Sequence, residues 1–320
     1  MLDARRMWYV IAALAALAIG IGWLRRPAEP AAEPVAILAA RDGVRTESIT
    51  RSQCLARPHR IWVAVEDGVE CIAYIASNEL SSRDTAVLFF EGDFPEQDLA
   101  PGRMAQVAAG YQLRVGEAQK RFGLPFIVVA RPGLMGSSGF HLIGGRRDEG
   151  EVMSAAVDAI KQRYGYRRLA MAGQSGGARI VAQLLVLGRR DIVCAVMGSG
   201  AYGVPLAKGG GNIGTNIFGE PGRKYLVPLH RADDIVVSAE RRTFVIGDPR
   251  DARTPFPGQR EWAEKMQALG HHAVLLEAAA QDPEHHGLGD VSLYAAGMCA
   301  SGRSDKEIAD LVVARRSRRP

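Results

Sequence analysis

From Thr85 onward the chain alternates between short, nearly continuous apolar runs and longer stretches in which apolar residues recur every three or four positions. The runs TAVLFFEG, PFIVVAR, YRRLAMAG, DIVCAVMGSG, RTFVIGD and HAVLLEA lack the polar alternation of a half-exposed strand. They therefore predict strands covered on both faces, as in a parallel sheet. The segments between them, around Met104 to Phe122, Glu151 to Tyr164, Ala178 to Leu187 and Gly258 to Leu269, carry the helical period. Strand and helix in repetition predict an α/β domain with a mostly parallel, doubly wound sheet and right-handed crossovers. Upstream, RIWVAVE and VECIAYIA flank Asp67-Gly68, a pair that accepts the positive φ angles of a tight turn. An antiparallel hairpin is thus expected to open the domain.

Ahead of that hairpin, Met7 to Leu24 form an apolar run bracketed by Arg5-Arg6 and Arg25-Arg26. This predicts an N-terminal membrane anchor or signal segment over 1–26, since the run just reaches the span of a hydrocarbon core about 30 Å thick. Its end, Trp23-Leu24-Arg25-Arg26, lacks the small residues of a cleavage site, which favours an uncleaved anchor. The expected location is the inner membrane with the domain facing the periplasm; secretion after cleavage is the alternative. The Pro/Ala/Glu stretch that follows predicts a linker, assigned to 27–50. The domain, 51–320, then holds roughly 270 of the 320 residues, a length suited to one core. About forty residues separate the strand ending near Gly200 from the one starting near Arg242, long for a connection in such a unit, and a small lid is expected over about 201–240. Its KGGGNIGTN is not followed by the Gly-Lys-Ser/Thr of a phosphate loop, so a flexible loop is favoured.

The formal charge of +5 and pI near 9.1 raise the question of nucleic acid, but Lys and Arg are interleaved with Asp and Glu. Dispersed charge of this kind is a solvated surface. The tail arginines Arg315, Arg316, Arg318 and Arg319 read as a solubilising terminus in preference to a phosphate or lipid contact. Cys54, Cys71, Cys194 and Cys299 are too widely spaced for zinc pairs, so no metal and no other cofactor are expected. In an oxidising compartment Cys54 with Cys71 is an attractive disulfide; buried free thiols are the alternative. Nothing in the pattern fixes an oligomeric state.

One motif carries chemistry. The strand LAMAG runs into Gly173-Gln174-Ser175-Gly176-Gly177 and then into ARIVAQLLVLG, the strand, turn and helix context of a nucleophile elbow. Glycines two residues before and after the serine let strand and helix approach closely. No other serine, including Ser137, Ser138 and Ser199, has glycine at both of those positions. A serine hydroxyl needs a histidine to take its proton and an acid to orient that histidine. Asp248 and Asp251 both follow a strand at the carboxyl edge of the sheet, where ligands bind in open α/β folds. His285 and His286 lie after the last strand, whereas His271 and His272 precede it at the wrong end.

The elbow, the D-x-x-T-P of Asp251 to Pro255, and the H-G-L of His286 to Leu288 together resemble the α/β-hydrolase superfamily, most closely its prolyl-oligopeptidase-type and esterase branches. The likeness covers about Arg60 to Ala300 and implies an α/β-hydrolase fold. It selects Asp251 and His286 to act with Ser175 in cleaving an ester or an amide, the substrate being a small ester or short peptide. It also implies an oxyanion site built from the backbone of Gly176 and of Gly92 or Asp93, although Glu91-Gly92 stands where many relatives carry His-Gly. The loop Arg131 to Gly139 should flank the site; Arg131 either binds a substrate carboxylate or, more simply, structures that loop. The joint presence of Gly173, Ser175, Gly177, Asp251 and His286 argues against a membrane-tethered, non-catalytic binding module. Acyl transfer to an alcohol or amine instead of water stays open.

Overall fold

A computed structural model describes residues 33–39, 46–66, 68–78, 80, 83–94, 98, 101–139, 149–203 and 226–317. Val35–Pro320 make one compact unit, distinct from Met1–Pro34. The anchor expected within 1–26 lies outside the described residues, among which no helix is long and apolar enough to cross a membrane.

Eight strands form the central sheet: β3 (Arg60–Val65), β4 (Gly68–Ala76), β5 (Thr85–Phe90), β6 (Phe126–Val129), β7 (Arg168–Gln174), β8 (Ile192–Gly198), β9 (Arg242–Gly247) and β10 (Ala273–Glu277), in the spatial order β10-β9-β8-β7-β5-β6-β4-β3. β3 and β4 are the expected antiparallel hairpin, with Trp62 opposite Cys71. β4 also runs antiparallel to β6, and every other neighbouring pair is parallel. The apolar runs are explained by the faces they cover. Along β5, Ala86, Leu88 and Phe90 enter one core and Val87 and Phe89 the other; along β7, Leu169 and Met171 divide likewise from Ala170 and Ala172.

Helices α3 (Glu149–Tyr164), α4 (Gly176–Val186) and α5 (Phe256–Ala268) supply residues to the first core, and α2 (Pro101–Phe122), α6 (Gly289–Ala300) and α7 (Asp305–Ser317) to the second. α4 is buried along nearly its whole surface, with only Arg179 half-buried among its residues. A helix apolar all round belongs in a core, not on it. The chain order reverses at β5, which lies between β6 and β7. The loops leaving β5 and β7 therefore diverge to opposite faces and open a crevice at their carboxyl ends.

The linker expectation needs correction. Within the stretch assigned to a linker, β1 (Val35–Ala39) and β2 (Thr46–Thr50) form an antiparallel ladder, so structure begins before the β3–β4 hairpin. Ala36 and Ile49 bury there with Cys54 and Cys71 in a satellite core that borders Trp62 and Val69. Thr50 then caps the short helix α1 (Arg51–Ala56) through a capping box with Gln53. Helices α6 and α7 were not foreseen. Of the stretch taken as a lid, 204–225 lies outside the described residues, while the part from Leu226 onward packs into the domain. Gln183 donates to the Leu226 carbonyl at 2.8 Å, and a 3-10 helix over Pro228–Asp234 lies against α4 and α5.

Two disulfides close, Cys54–Cys71 and Cys194–Cys299, the second joining β8 to α6. The first is the pairing favoured above; the second joins the two cysteines that it leaves. Their sequence separations of 17 and 105 set different loop-closure entropies in the unfolded chain. On that basis each is worth about 3 and about 4.7 kcal/mol respectively. Replacing Cys194 and Cys299 by Ala is expected to lower the urea midpoint more than replacing Cys54 and Cys71; the reverse order would show that native packing outweighs loop length.

Candidate active site

The geometry begins with a steric demand. A Cβ on Gly177 would stand 2.0 Å from the Phe90 carbonyl oxygen, and one on Gly173 would stand 2.3 Å from the Gly177 carbonyl. Strand β7 and helix α4 therefore meet at backbone contact, against the end of β5. The turn between them forces Ser175 to φ 56° and ψ −119°, a conformation that costs a residue with a side chain on the order of 1–3 kcal/mol. Its N–H is held by the Gly198 carbonyl at 2.8 Å. The half-buried serine thus projects from the carboxyl edge at the mouth of the crevice, beside the first turn of α4. The N–H groups of that turn, Gly176 among them, have no intrahelical partner and carry the positive end of the helix dipole.

Asp251 and His286 come together in the loops after β9 and β10. The His286 Nδ1 lies 3.0 and 3.1 Å from the two Asp251 carboxylate oxygens, and both residues are buried. Asp251 is held by its own sequence context. The N–H groups of Arg253 and Thr254 donate to Oδ1 at 2.9 Å each, and the Thr254 hydroxyl donates to Oδ2 at 2.8 Å. An aspartate that accepts from residues two and three ahead is a local turn motif, which is what D-x-x-T encodes. Gln259 adds a long contact to Oδ2 at 3.4 Å. The His286 backbone is fixed from below by Asp282, whose carboxylate accepts its N–H at 3.1 Å and that of Gly287 at 2.6 Å. Burial pushes the Asp282 carboxyl up, and these backbone bonds more than reverse it, leaving it below the usual range. Gln174, beside the serine, donates to the His286 carbonyl at 3.1 Å and ties the histidine loop to the elbow. Thr254, Gln259, Asp282 and Gln174 were not singled out from the sequence, although D-x-x-T contained the first.

The neighbouring acid and histidine are arranged differently. Asp248 is fully buried but bonded to the Arg250 side chain at 3.0 and 3.1 Å and to the N–H groups of Arg250 and Ala280, both at 2.9 Å. His285 Nδ1 stands 3.6 Å from it, at a residue with φ 55°. These two line a separate cavity of about 480 Å³ with Arg250 and Ala278 to Gln281.

On the other side of the elbow, Gly92 packs 3.1 Å from the Ser175 Cβ as measured from the position its own Cβ would take. The Gly92 N–H donates to the Glu91 carboxylate at 2.7 Å, so of the backbone donors expected on this loop that one is already engaged. Glu91 lines a cavity of about 340 Å³ with Tyr111, Arg114, Gln174 and Leu288. Burial raises its carboxyl above the ordinary range, with the Gly92 N–H, Arg114 and Arg131 acting the other way. Arg131 is fully buried, and its two prongs meet Glu149 at 2.7 and 2.9 Å. Burial works against its charge, yet Glu149 and Asp93 together raise its pKa. It structures the loop; its paired face is occupied by Glu149 and not presented to a substrate. Among the described residues no cluster of His, Cys, Asp and Glu is arranged to hold a metal ion.

Solved structures share this architecture. An esterase of Pyrococcus furiosus superposes with a TM-score of 0.52 over 87% of this chain and 97% of its own, at 15% identity. The fold is that of the α/β-hydrolases. Similarity extends to an esterase of Pyrobaculum calidifontis (15% identity, 82% of this chain and 85% of that one, TM-score 0.49) and to an acylaminoacyl peptidase of Pyrococcus horikoshii (12% identity, 78% and 42%, TM-score 0.49). No family model and no curated protein sequence matches the chain.

Within this α/β-hydrolase fold the Asp248 pairing has a consequence for stability. Burial raises the Asp248 carboxyl, but the bonds from Arg250 and Ala280 prevail and hold it below its ordinary value. A carboxyl depressed in the folded state stabilises above its unfolded value, and the gain is lost as pH falls through the folded one. Asp248→Asn is therefore expected to lower the urea midpoint at neutral pH, with the gap to the parent closing below about pH 4. A gap of constant size from neutral to acid pH would show that packing, not charge, holds the loop.

Proposed function

We propose that this protein is a serine hydrolase that cleaves an ester or amide bond through an acyl-enzyme intermediate. The observation that carries the proposal is the strained Ser175 at a strand-to-helix elbow whose neighbour Gln174 is bonded to His286, itself paired with the buried Asp251. In this mechanism Ser175 Oγ attacks the substrate carbonyl while His286 Nε2 takes the hydroxyl proton. Asp251, on Nδ1, holds the ring in the tautomer with Nε2 free to accept and stabilises the imidazolium that forms. The oxyanion faces the Gly176 N–H and the loop Glu91 to Asp93. His286 then passes its proton to the leaving alkoxide or amine, and a water activated by the same histidine releases the acyl group. Small esters and short peptides are the substrate classes, in keeping with the esterases and the peptidase whose fold the chain shares.

A fluorophosphonate probe is expected to label Ser175, with labelling lost in Ser175→Ala. His286→Ala should lower turnover by several orders of magnitude and Asp251→Asn by a comparable factor with the fold intact, because the three act as a unit. His285→Ala and Asp248→Asn should each cost less than tenfold. A parent protein that resists the probe and hydrolyses nothing in a broad panel of chromogenic esters and aminoacyl amides would overturn the proposal in favour of a binding module.

We further infer an oxidising location, with the domain held at the outer face of the inner membrane by Met7 to Leu24. Support comes from the apolar run itself and from the two disulfides, which persist in secreted and periplasmic proteins and are rare in the cytosol. Protein from its native compartment should resist alkaline carbonate extraction and show both disulfides by mass spectrometry without reduction. Four free thiols, or a soluble product that starts after Leu24, would refute this.

A further inference from the structure

The loop that would complete the oxyanion site is clamped by a charge cluster centred on the fully buried Arg131. Arg131 Nη1 reaches the Asp93 carboxylate at 2.7 Å and the Glu91 carbonyl at 3.0 Å, while Nε and Nη2 grip Glu149. Arg179, one turn into α4, stands 3.5 Å from Glu149 and 3.8 Å from Asp93, so two cations face two carboxylates. The same cluster presses on the elbow. A Cβ at Gly176 would fall 2.2 Å from Asp93 Oδ1 and 2.6 Å from Arg131 Nη1.

We infer that Arg131 and Asp93 are positioning residues for the oxyanion site, setting the distance between the Gly176 N–H and the backbone of Glu91 to Asp93. The inference rests on the hydrolase reading above and deepens it. Two donors must converge on one oxygen at about 2.7–3.1 Å, so a small displacement of either weakens both bonds to the developing charge. A planar guanidinium that spans a carbonyl, a carboxylate and a second carboxylate fixes those spacings better than a point charge does. The cluster holds Asp93 against the first residue of α4, so the loop after β5 and the elbow after β7 share one support. The Gly176 glycine is thereby explained: its side chain is absent because the cluster occupies that space.

The test measures kcat and KM on a chromogenic ester and the rate of fluorophosphonate labelling at Ser175 for the parent, Asp93→Asn and Asp93→Ala, alongside Tm. Asn keeps a carbonyl oxygen for Arg131, so it should hold both rates within about threefold. Ala removes the tether and should lower kcat and the labelling rate together by about tenfold to a hundredfold, less than deletion of a donor outright, with KM within about twofold. If Asp93→Ala does not fold, Asp93→Ser takes its place. A folded Ala or Ser variant that keeps the parental rates, or an Asn variant as slow as the Ala variant, overturns the inference. So does a fall in Tm with kcat unchanged. A parent that is not labelled at Ser175 overturns the inference and the hydrolase reading together, whereas a labelled parent with an unaffected Ala variant sinks the inference alone.

Discussion

The contact between the Gly177 backbone and the Phe90 carbonyl governs this structure more than any other. It allows α4 to rise directly off β7 against the end of β5, and that approach leaves the chain no route between strand and helix except a residue at positive φ. The residue there is a serine, so the strain is carried by a side chain with a hydroxyl to present. Burial of α4 on nearly every side makes up the cost, because the helix cannot slide to relieve the turn without breaking contact with both its neighbours and the sheet.

Around that point the chain solves one problem several times, which is to fasten a carboxylate at a sheet edge with donors close to it. Asp251 is fastened by the turn it begins, and Asp282 fastens the histidine by accepting its backbone N–H. Asp248, only three residues before Asp251, is saturated by Arg250 and by the Ala280 N–H, which leaves its neighbour His285 at 3.6 Å. The two aspartates are three residues apart and the two histidines adjacent, yet one pair has direct geometry and the other is drawn off by an arginine. The separation is electrostatic as much as steric: the carboxylate that already has a guanidinium gains little from an imidazole.

Most of the sheet was legible in the sequence because buried parallel strands are apolar on both faces, and runs such as TAVLFF have no competing explanation at that length. The elbow was legible for the opposite reason, since its glycines answer a local demand that nothing else meets. Elements set by long-range contact were harder to see. β1 has only five residues beside a Pro/Ala/Glu stretch, and its partner TESIT is mostly polar; the capping box at Thr50 and Gln53 was the available signal. α6, GDVSLYAAGMCA, is buried on almost all sides and so shows no helical period. At the site, the pairing of Asp251 with His286 was legible only through resemblance, because residue type and order allowed either aspartate and either histidine. The Arg131 cluster was invisible for a further reason: its members Asp93, Arg131, Glu149 and Arg179 come from four separate segments, and only the crossing of β5, β6 and β7 brings them together.

The disulfide between Cys194 and Cys299 encloses Asp251 and His286 in its loop and leaves Ser175 outside it. A protease that cuts the backbone once between the two half-cystines, on the near side of Asp251, would produce one fragment bearing the serine and another bearing the acid and the histidine. Those fragments would still be joined by a covalent bond from β8 to α6. A molecule nicked in that interval would run as one species until reduced, and its pieces would be held at intramolecular concentration for reassembly. The crosslink therefore keeps the segment that carries Asp251 and His286 joined to the rest of the domain after such a cut.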